Sequence, residues 1–258
     1  MRPRLIPCLL IKDNGLVKTI NFDNPKYLGD PLNAVRIFNE KKVDELIILD
    51  IDASRLKKDP NYKLLAKIAN ECNMPLCYGG GIKSISQCER LINLGIEKLA
   101  LSSVVFSNKK IINEASKKFG SQSVVVVLDI KKSGLLKKKY EIFTKNGKSK
   151  IKLNLHTFIK DIESLGAGEI VINSIDNDGL MKGYDIQLIS EVKDLISIPL
   201  TAMGGAGSLQ DVKYLWTKLG LVGAAAGSLF VFKGKNRAVL ITYPKIEEKN
   251  ILFKELCI

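Results

Sequence analysis

Two stretches of this chain return in similar form further along it. Leu9-Leu10-Ile11-Lys12 returns as Leu128-Asp129-Ile130-Lys131, and Pro75-Leu76-Cys77-Tyr78-Gly79-Gly80-Gly81 returns as Pro199-Leu200-Thr201-Ala202-Met203-Gly204-Gly205. The copies stand about half of the 258 residues apart. That is far beyond the roughly 20–50-residue periods of stacked repeats, so the pattern predicts a duplicated half-domain. One mismatch stands out: where the second copy has Asp129, the first has Leu10.

Around the copies, short β-branched or apolar runs alternate with longer stretches of helical period. The runs predict eight strands, at 5–10, 46–50, 76–78, 98–101, 124–128, 170–173, 200–202 and 223–226. Helices are predicted at 31–42, 62–72, 86–94, 108–119, 156–165, 185–195 and 209–219, with a last one after Phe232. Asp30 is placed to cap the first helix, with Pro31 at its first position and Ala34, Val35 and Phe38 on its buried face. Eight such units without a Pro/Gly-rich linker fit a single α/β domain, a closed (β/α)8 TIM barrel, better than an open doubly wound sheet. The repeat divides that barrel into half-barrels of about 1–122 and 123–245.

Two connections exceed what a barrel needs. Residues 11–29 are polar and basic, with Lys12, Lys18 and Lys26. Residues 131–153 alternate as a small hairpin around Asn146-Gly147, a type I′ turn signal. Both follow strand C-termini, where barrels build their sites, so each is a candidate lid.

Composition limits the partners. Forty Lys+Arg against 27 Asp+Glu give a net charge of +13, which can attract nucleic acid or anionic small molecules. The lysines are scattered, however, and the densest run, Lys131 to Lys139, has no aromatic beyond Tyr140 on which a base could stack. This is the pattern of a solvated lysine-rich surface, and no nucleic-acid partner is expected. The five cysteines, Cys8, Cys72, Cys77, Cys88 and Cys257, include no CxxC pair, and Cys8 and Cys77 sit in apolar runs. They read as reduced small hydrophobes. With a single histidine, neither a metal nor a cofactor is expected. No apolar run approaches the ~18 residues of a membrane span, and no leader pattern opens the chain. A cytoplasmic protein without membrane insertion is expected.

The repeated glycines carry the first chemical signal. Gly79-Gly80-Gly81 and Gly204-Gly205-Ala206-Gly207 each follow a strand and precede a helix with Ser84 or Ser208 nearby, an arrangement that lets backbone N–H groups approach an anion. The next unit of each half supplies Ser102-Ser103 and Gly227-Ser228 at a strand end. Two matched copies predict two anion sites, hence a substrate with two phosphates or phosphate-like ends. Asp129 closes strand five, and Asp176-Asn177-Asp178-Gly179 follows strand six; a carboxylate at a strand C-terminus can shuttle protons in the mouth. Asp50 and Asp52, at the end of strand two, suit either catalysis or loop capping. Leu10, in the position opposing Asp129, can transfer no proton.

Charges also mark the opposite end. Arg4, Glu45, Lys98 and Glu169 stand at the starts of strands one, two, four and six, where they would ring the N-terminal opening as surface charges or as a salt-bridged gate. His156, at the start of helix five, lies far from any strand C-terminus. Trp216 and Tyr214 read as packing residues.

The motifs Arg4-Leu5-Ile6-Pro7-Cys8-Leu9, Gly29-Asp30-Pro31, Asp44-Glu45-Leu46, Gly79-Gly80-Gly81-Ile82, Leu165-Gly166-Ala167-Gly168-Glu169, Ser174-Ile175-Asp176-Asn177-Asp178-Gly179, Gly183-Tyr184-Asp185 and Gly204-Gly205-Ala206-Gly207 together resemble the cyclase subunit of imidazole glycerol phosphate synthase, HisF. The match runs from Arg4 to about Phe230. The resemblance implies a barrel whose N-terminal face docks on a HisH-like glutaminase. Ammonia then passes up the barrel to a bisphosphorylated ribotide that is cyclised and cleaved. It further implies that Arg4, Glu45, Lys98 and Glu169 form the ammonia gate and that Asp44 and Glu97 lie on the docking face. Lys18, Asp50 and Asp176 are implied at the substrate. Gly80, Gly81, Ser102, Ser103, Asp178, Gly179, Gly204, Gly205, Gly227 and Ser228 are implied at its phosphates.

The family pairs an aspartate on strand one with one on strand five as acid and base; here only Asp129 remains and Leu10 takes the other place. Proton transfer by a positioned group is worth ~10²–10⁴-fold, so the standard cyclase reaction is expected to be impaired. Ser102-Ser103 stand for a usual Asn-Thr, and Leu180 for a usual Thr. The tail 231–244 resembles the divergent HisF-like branch associated with glycosyl amidation in surface polysaccharide synthesis (WbuZ-type). There a separate sugar amidotransferase would use the ammonia. The alternative is a histidine-pathway cyclase, a lyase, that has moved its missing proton transfer to Asp50 or to a residue such as Asp13.

Overall fold

The computed structural model describes residues 3–134 and 139–254; Leu135, Leu136, Lys137 and Lys138 of the lysine-rich run, and Cys257, lie outside them. Eight parallel strands form the wall: β1 (Leu5–Lys12), β2 (Leu46–Asp50), β3 (Leu76–Gly79), β4 (Lys98–Leu101), β5 (Val124–Ser133), β6 (Glu169–Ser174), β7 (Leu200–Met203) and β8 (Gly223–Ala226). Each pairs in parallel with its neighbour in sequence, and β8 pairs with β1 through Leu5 and Ala224, so the sheet closes. This is a single (β/α)8 TIM barrel.

Helices α1 (Pro31–Glu40), α2 (Tyr62–Glu71), α3 (Ile85–Asn93), α4 (Lys110–Phe119), α5 (Leu155–Ser164), α6 (Ile186–Lys193) and α7 (Leu209–Leu219) alternate with the strands. Their starts are set by side-chain caps: Asp30 accepts from the Leu32 amide, Asn61 from Leu64, Asn154 from Thr157, and Ser208 forms a reciprocal box with Asp211. The predicted C-terminal ends run one or two residues too long in most cases. A short extra turn, Val104–Ser107, precedes α4. After Phe232 the chain forms a two-residue-per-strand hairpin and then α8 (Ile246–Lys254).

Two apolar cores result. One lies between wall and helices. The other fills the lumen with Ile6, Cys8, Ile47, Cys77, Ala100, Val125, Val127, Val171, Met203 and Ala225, placing the two strand cysteines inside the barrel. Trp216 is fully buried and donates to the Val222 carbonyl at 2.8 Å. Tyr214 is 52% exposed, a correction to its expected packing role.

The two long connections are both hairpins. Residues 15–20 and 23–29 form strands that fold back on β1 through two-residue loops. Asp13 and Asn14 in the first loop, and Asn21 and Phe22 in the second, all have positive φ, the type I′ requirement. The sequence reading placed its type I′ turn instead at Asn146-Gly147. There the structure has a hairpin of strands 139–144 and 149–151, but Thr144 pairs with Ser149 across a four-residue loop. β5 itself continues to Ser133 to pair with this hairpin, so Asp129 sits within the strand rather than closing it.

Candidate functional site

At the C-terminal end of the wall a cavity of about 140 Å³ opens. Both glycine loops line it, as do Ser102, Ser103, Gly227, Ser228, Asp178, Gly179, Lys18, Asp50, Asp129 and Leu10. Phe22 and Thr144, Lys145 and Asn146 bring both hairpins over the same space. Of the residues expected from the sequence at the substrate and its phosphates, all but Asp176 line the cavity.

The glycines keep the loops close. Gly204 has φ +91°, and a Cβ there would lie 2.6 Å from the Ser174 carbonyl oxygen; at Gly80, with φ +130°, it would lie 2.7 Å from that of Asp50. No side chain fits at either place without moving backbone. Ser228 is buried and its Oγ has no partner among the described residues, so a hydroxyl of the cavity lining is left for a ligand.

Lys18 is 6% exposed and reaches Asp178 Oδ1 at 2.9 Å and the Thr19 carbonyl at 3.1 Å. Thr19 Oγ1 donates to the other oxygen of Asp178 at 3.1 Å. Asn21 Nδ2 ties the same hairpin to the carbonyls of Ile175 and Asp176 at 2.8 and 2.9 Å. The loop after β1 is therefore latched to the loop after β6.

Asp129 accepts a hydrogen bond from Asn173 Nδ2 at 3.0 Å. Burial pushes its carboxyl up to about 7; the Asn173 donor opposes this and the Asp178 charge adds to it. A group poised there can give or take a proton near neutrality. Across the cavity stand Leu10 and Leu49, which can do neither. Asp50 is also raised, first by burial, while the amides of Ala53 and Asp52, 3.0 and 3.1 Å away, draw it down. It both caps its loop and lines the cavity. Asp176 does not join them: its carboxylate accepts from the Lys132 amide at 2.7 Å and stays out of the cavity lining, because β5 runs on past the mouth and presents that amide.

The foot of the barrel holds the four charges in contact. Arg4 bonds Glu45, and its Nη2 lies 2.6 Å from Glu169 Oε1. Lys98 Nζ lies 2.9 Å from both Glu45 and Glu169. Thr201, which the sequence reading did not single out, donates to Glu169 Oε1 at 2.6 Å. Glu45 and Glu169 are 3% and 4% exposed. Burial works to raise the Glu169 carboxyl, but the Arg4 bond and charge, with Lys98 and Thr201, leave it below its ordinary value. Two cations and two anions cancel, so the plug across the lumen is neutral and fully paired.

The two acids expected on the docking face differ. Glu97 is exposed while one oxygen accepts from the Leu76 amide at 2.7 Å. Asp44 is held from within: Lys249 of α8 lies 2.6 Å from Oδ1, and the Leu5 amide donates to Oδ2 at 3.0 Å. His156 pairs with Glu191 outside the barrel.

Two features escaped the sequence reading. Asn173 lies two residues from Val171 and four from Glu169 on β6, so period-two alternation would have turned it inward. The clasp that Lys249 and Tyr243, whose hydroxyl donates to the Leu5 carbonyl, form on the underside had no local signal. Among the described residues no helix is long and apolar enough to cross a membrane.

Residues 4–236 match the family described as Histidine biosynthesis protein. A Vibrio vulnificus protein, provisionally named imidazole glycerol phosphate synthase subunit hisF3, is 57% identical over 249 residues, 96% of this chain and 95% of its own. A Pseudomonas aeruginosa protein, provisionally named subunit hisF2, is 48% identical over 251 residues, 97% of this chain and 99% of its own. A Campylobacter concisus protein named imidazole glycerol phosphate synthase subunit HisF is 39% identical over 229 residues, 89% of each chain.

Proposed function

This chain belongs to the HisF family of histidine biosynthesis proteins, and from that premise we propose that it is the ammonia-receiving barrel of a two-protein glutamine amidotransferase. A HisH-like glutaminase binds the N-terminal face and releases ammonia from glutamine in the cytoplasm. The ammonia passes the Arg4, Glu45, Lys98 and Glu169 gate and the apolar lumen to the mouth. From there it serves a separate sugar amidotransferase that amidates an acetamido sugar for surface polysaccharide. The observation that carries this reading is a complete gate beneath a mouth in which Leu10 faces Asp129.

Lys18, Asp50, Asp129 and the two glycine loops, gathered in one cavity, support a second reading as the cyclase of histidine biosynthesis. Ammonium-dependent turnover of the ribulosyl formimino ribotide by the purified protein separates the two. Loss of substrate absorbance at the pace of a working cyclase assigns the histidine pathway. No turnover, with the ribotide still bound, supports the ammonia conduit.

A further inference from the structure

Above the gate the inward faces of β5 and β6 carry Val125, Val127 and Val171, and the next inward pair is Asp129 and Asn173, which stand opposite each other in register. From Glu169 to Asn173 is four residues, a climb of roughly 13 Å at about 3.3 Å per residue. Asp129 and Asn173 are thus the first polar groups on this side of the lumen above the valines. Asn173 is 5% exposed, donates from its amide to Asp129, and leaves Oδ1 buried with no partner among the described residues. A Cβ at Gly204 would come within 3.0 Å of that oxygen, so the glycine loop leaves room beside it. A buried carbonyl oxygen without a donor is destabilising, and both residues face the cavity.

What would satisfy it must donate N–H or O–H, be small, and sit among Cys8, Leu10, Leu49, Val127 and Met203. Lys18, a cation of the same cavity, is already bound to Asp178. Resting on the ammonia-conduit reading above, we propose that Asn173 Oδ1 and the Asp129 carboxylate together form the receiving site where a single ammonia nitrogen is held as it leaves the lumen. Two acceptors take two N–H groups of one nitrogen and leave its lone pair unspent, available to an electrophile in the mouth. An ordinary water can fill the same position, and the test tells the two apart.

The probe is ammonium chloride on the whole protein, with the Asp129 carboxyl carbon read by NMR after carbon-13 labelling of aspartate. The expected result is a saturable shift of that resonance with ammonium chloride and none with matched sodium or tetramethylammonium chloride, which offer no N–H. Asn173→Leu should weaken the response by about tenfold, the worth of one hydrogen bond, and Asn173→Ser, which keeps an oxygen acceptor, should regain part of it. No saturable response in the unaltered protein overturns the proposal without reliance on any variant. An unchanged response in a folded Asn173→Leu protein also overturns it, by removing Asn173 from the site. Transfer of nitrogen-15 from glutamine through a reconstituted glutaminase complex reads the conduit separately. Transfer without an ammonium response at Asp129 would discard the receiving site and keep the conduit.

Discussion

Lys249 Nζ lies 2.6 Å from Asp44 Oδ1 and joins the last helix to the underside of the barrel. Tyr243 adds to the clasp by donating to the Leu5 carbonyl at 2.8 Å. Both Lys249 and Tyr243 are buried. Lys249→Met should therefore lower stability by about 1–3 kcal/mol, read as a lower urea midpoint at unchanged slope. A midpoint equal to that of the parent would mean that α8 is held by its apolar contacts alone.

Glutaminase docking is best probed at Glu97, whose side chain is exposed. Glu97→Lys should weaken binding of a HisH-like glutaminase by about tenfold or more, since like-charge juxtaposition at an interface costs several kcal/mol. Calorimetry with the purified partner checks this, and unchanged affinity would remove Glu97 from the contact. Asp44→Lys is a poor probe, because it also breaks the clasp.

The gate has a signed pH dependence. Glu169 has its carboxyl lowered in the folded state, so its contribution is present above the ordinary glutamate value of about 4.3 and is lost as pH falls through the lower folded value. Removing Arg4 with Arg4→Met leaves two buried carboxylates to Lys98 alone and should cost about 3–5 kcal/mol at pH 7. The loss should shrink as pH falls below about 4 and Glu169 takes up its proton. A pH-independent loss would contradict the electrostatic account.

Asp129 acts in the opposite sense. Its folded value near 7 lies above an ordinary aspartate, so the folded protein holds the proton more tightly between about pH 4 and 7, and stability falls as pH rises through that window. Asp129→Asn should remove the slope and stabilise the protein at pH 8 by about 1–3 kcal/mol, discounted for the carboxyl's partial opening to the cavity. Thermal melts across pH 5–8 measure it.

Leu10→Asp tests the missing proton carrier directly. If the mouth otherwise retains the geometry of a cyclase, ammonium-dependent turnover of the ribotide should rise by ~10²–10⁴-fold. No gain would show that more than one acid was lost.

Most of the wall was legible because its signals are local. Alternating apolar runs, caps such as Asp30 and Ser208, and the paired glycine loops each declare themselves within a few residues. The hairpins were harder. Asp13-Asn14 and Asn21-Phe22 make tight turns from residue pairs that carry a weaker signal than Asn-Gly, whereas the strong Asn146-Gly147 signal was absorbed into a wider loop. The partners of Asp176 and Asp44 were hidden for a different reason. Each carboxylate is taken by a donor from a distant segment, the Lys132 amide and the Lys249 ammonium, and no window of sequence contains both partners.

The family's common span ends at residue 236, yet Tyr243 and Lys249, which hold the opening strand and Asp44, lie beyond it. Part of the underside is consequently built by a segment outside that match. The relief of the barrel's lower end therefore depends on a helix that stands well away from the mouth.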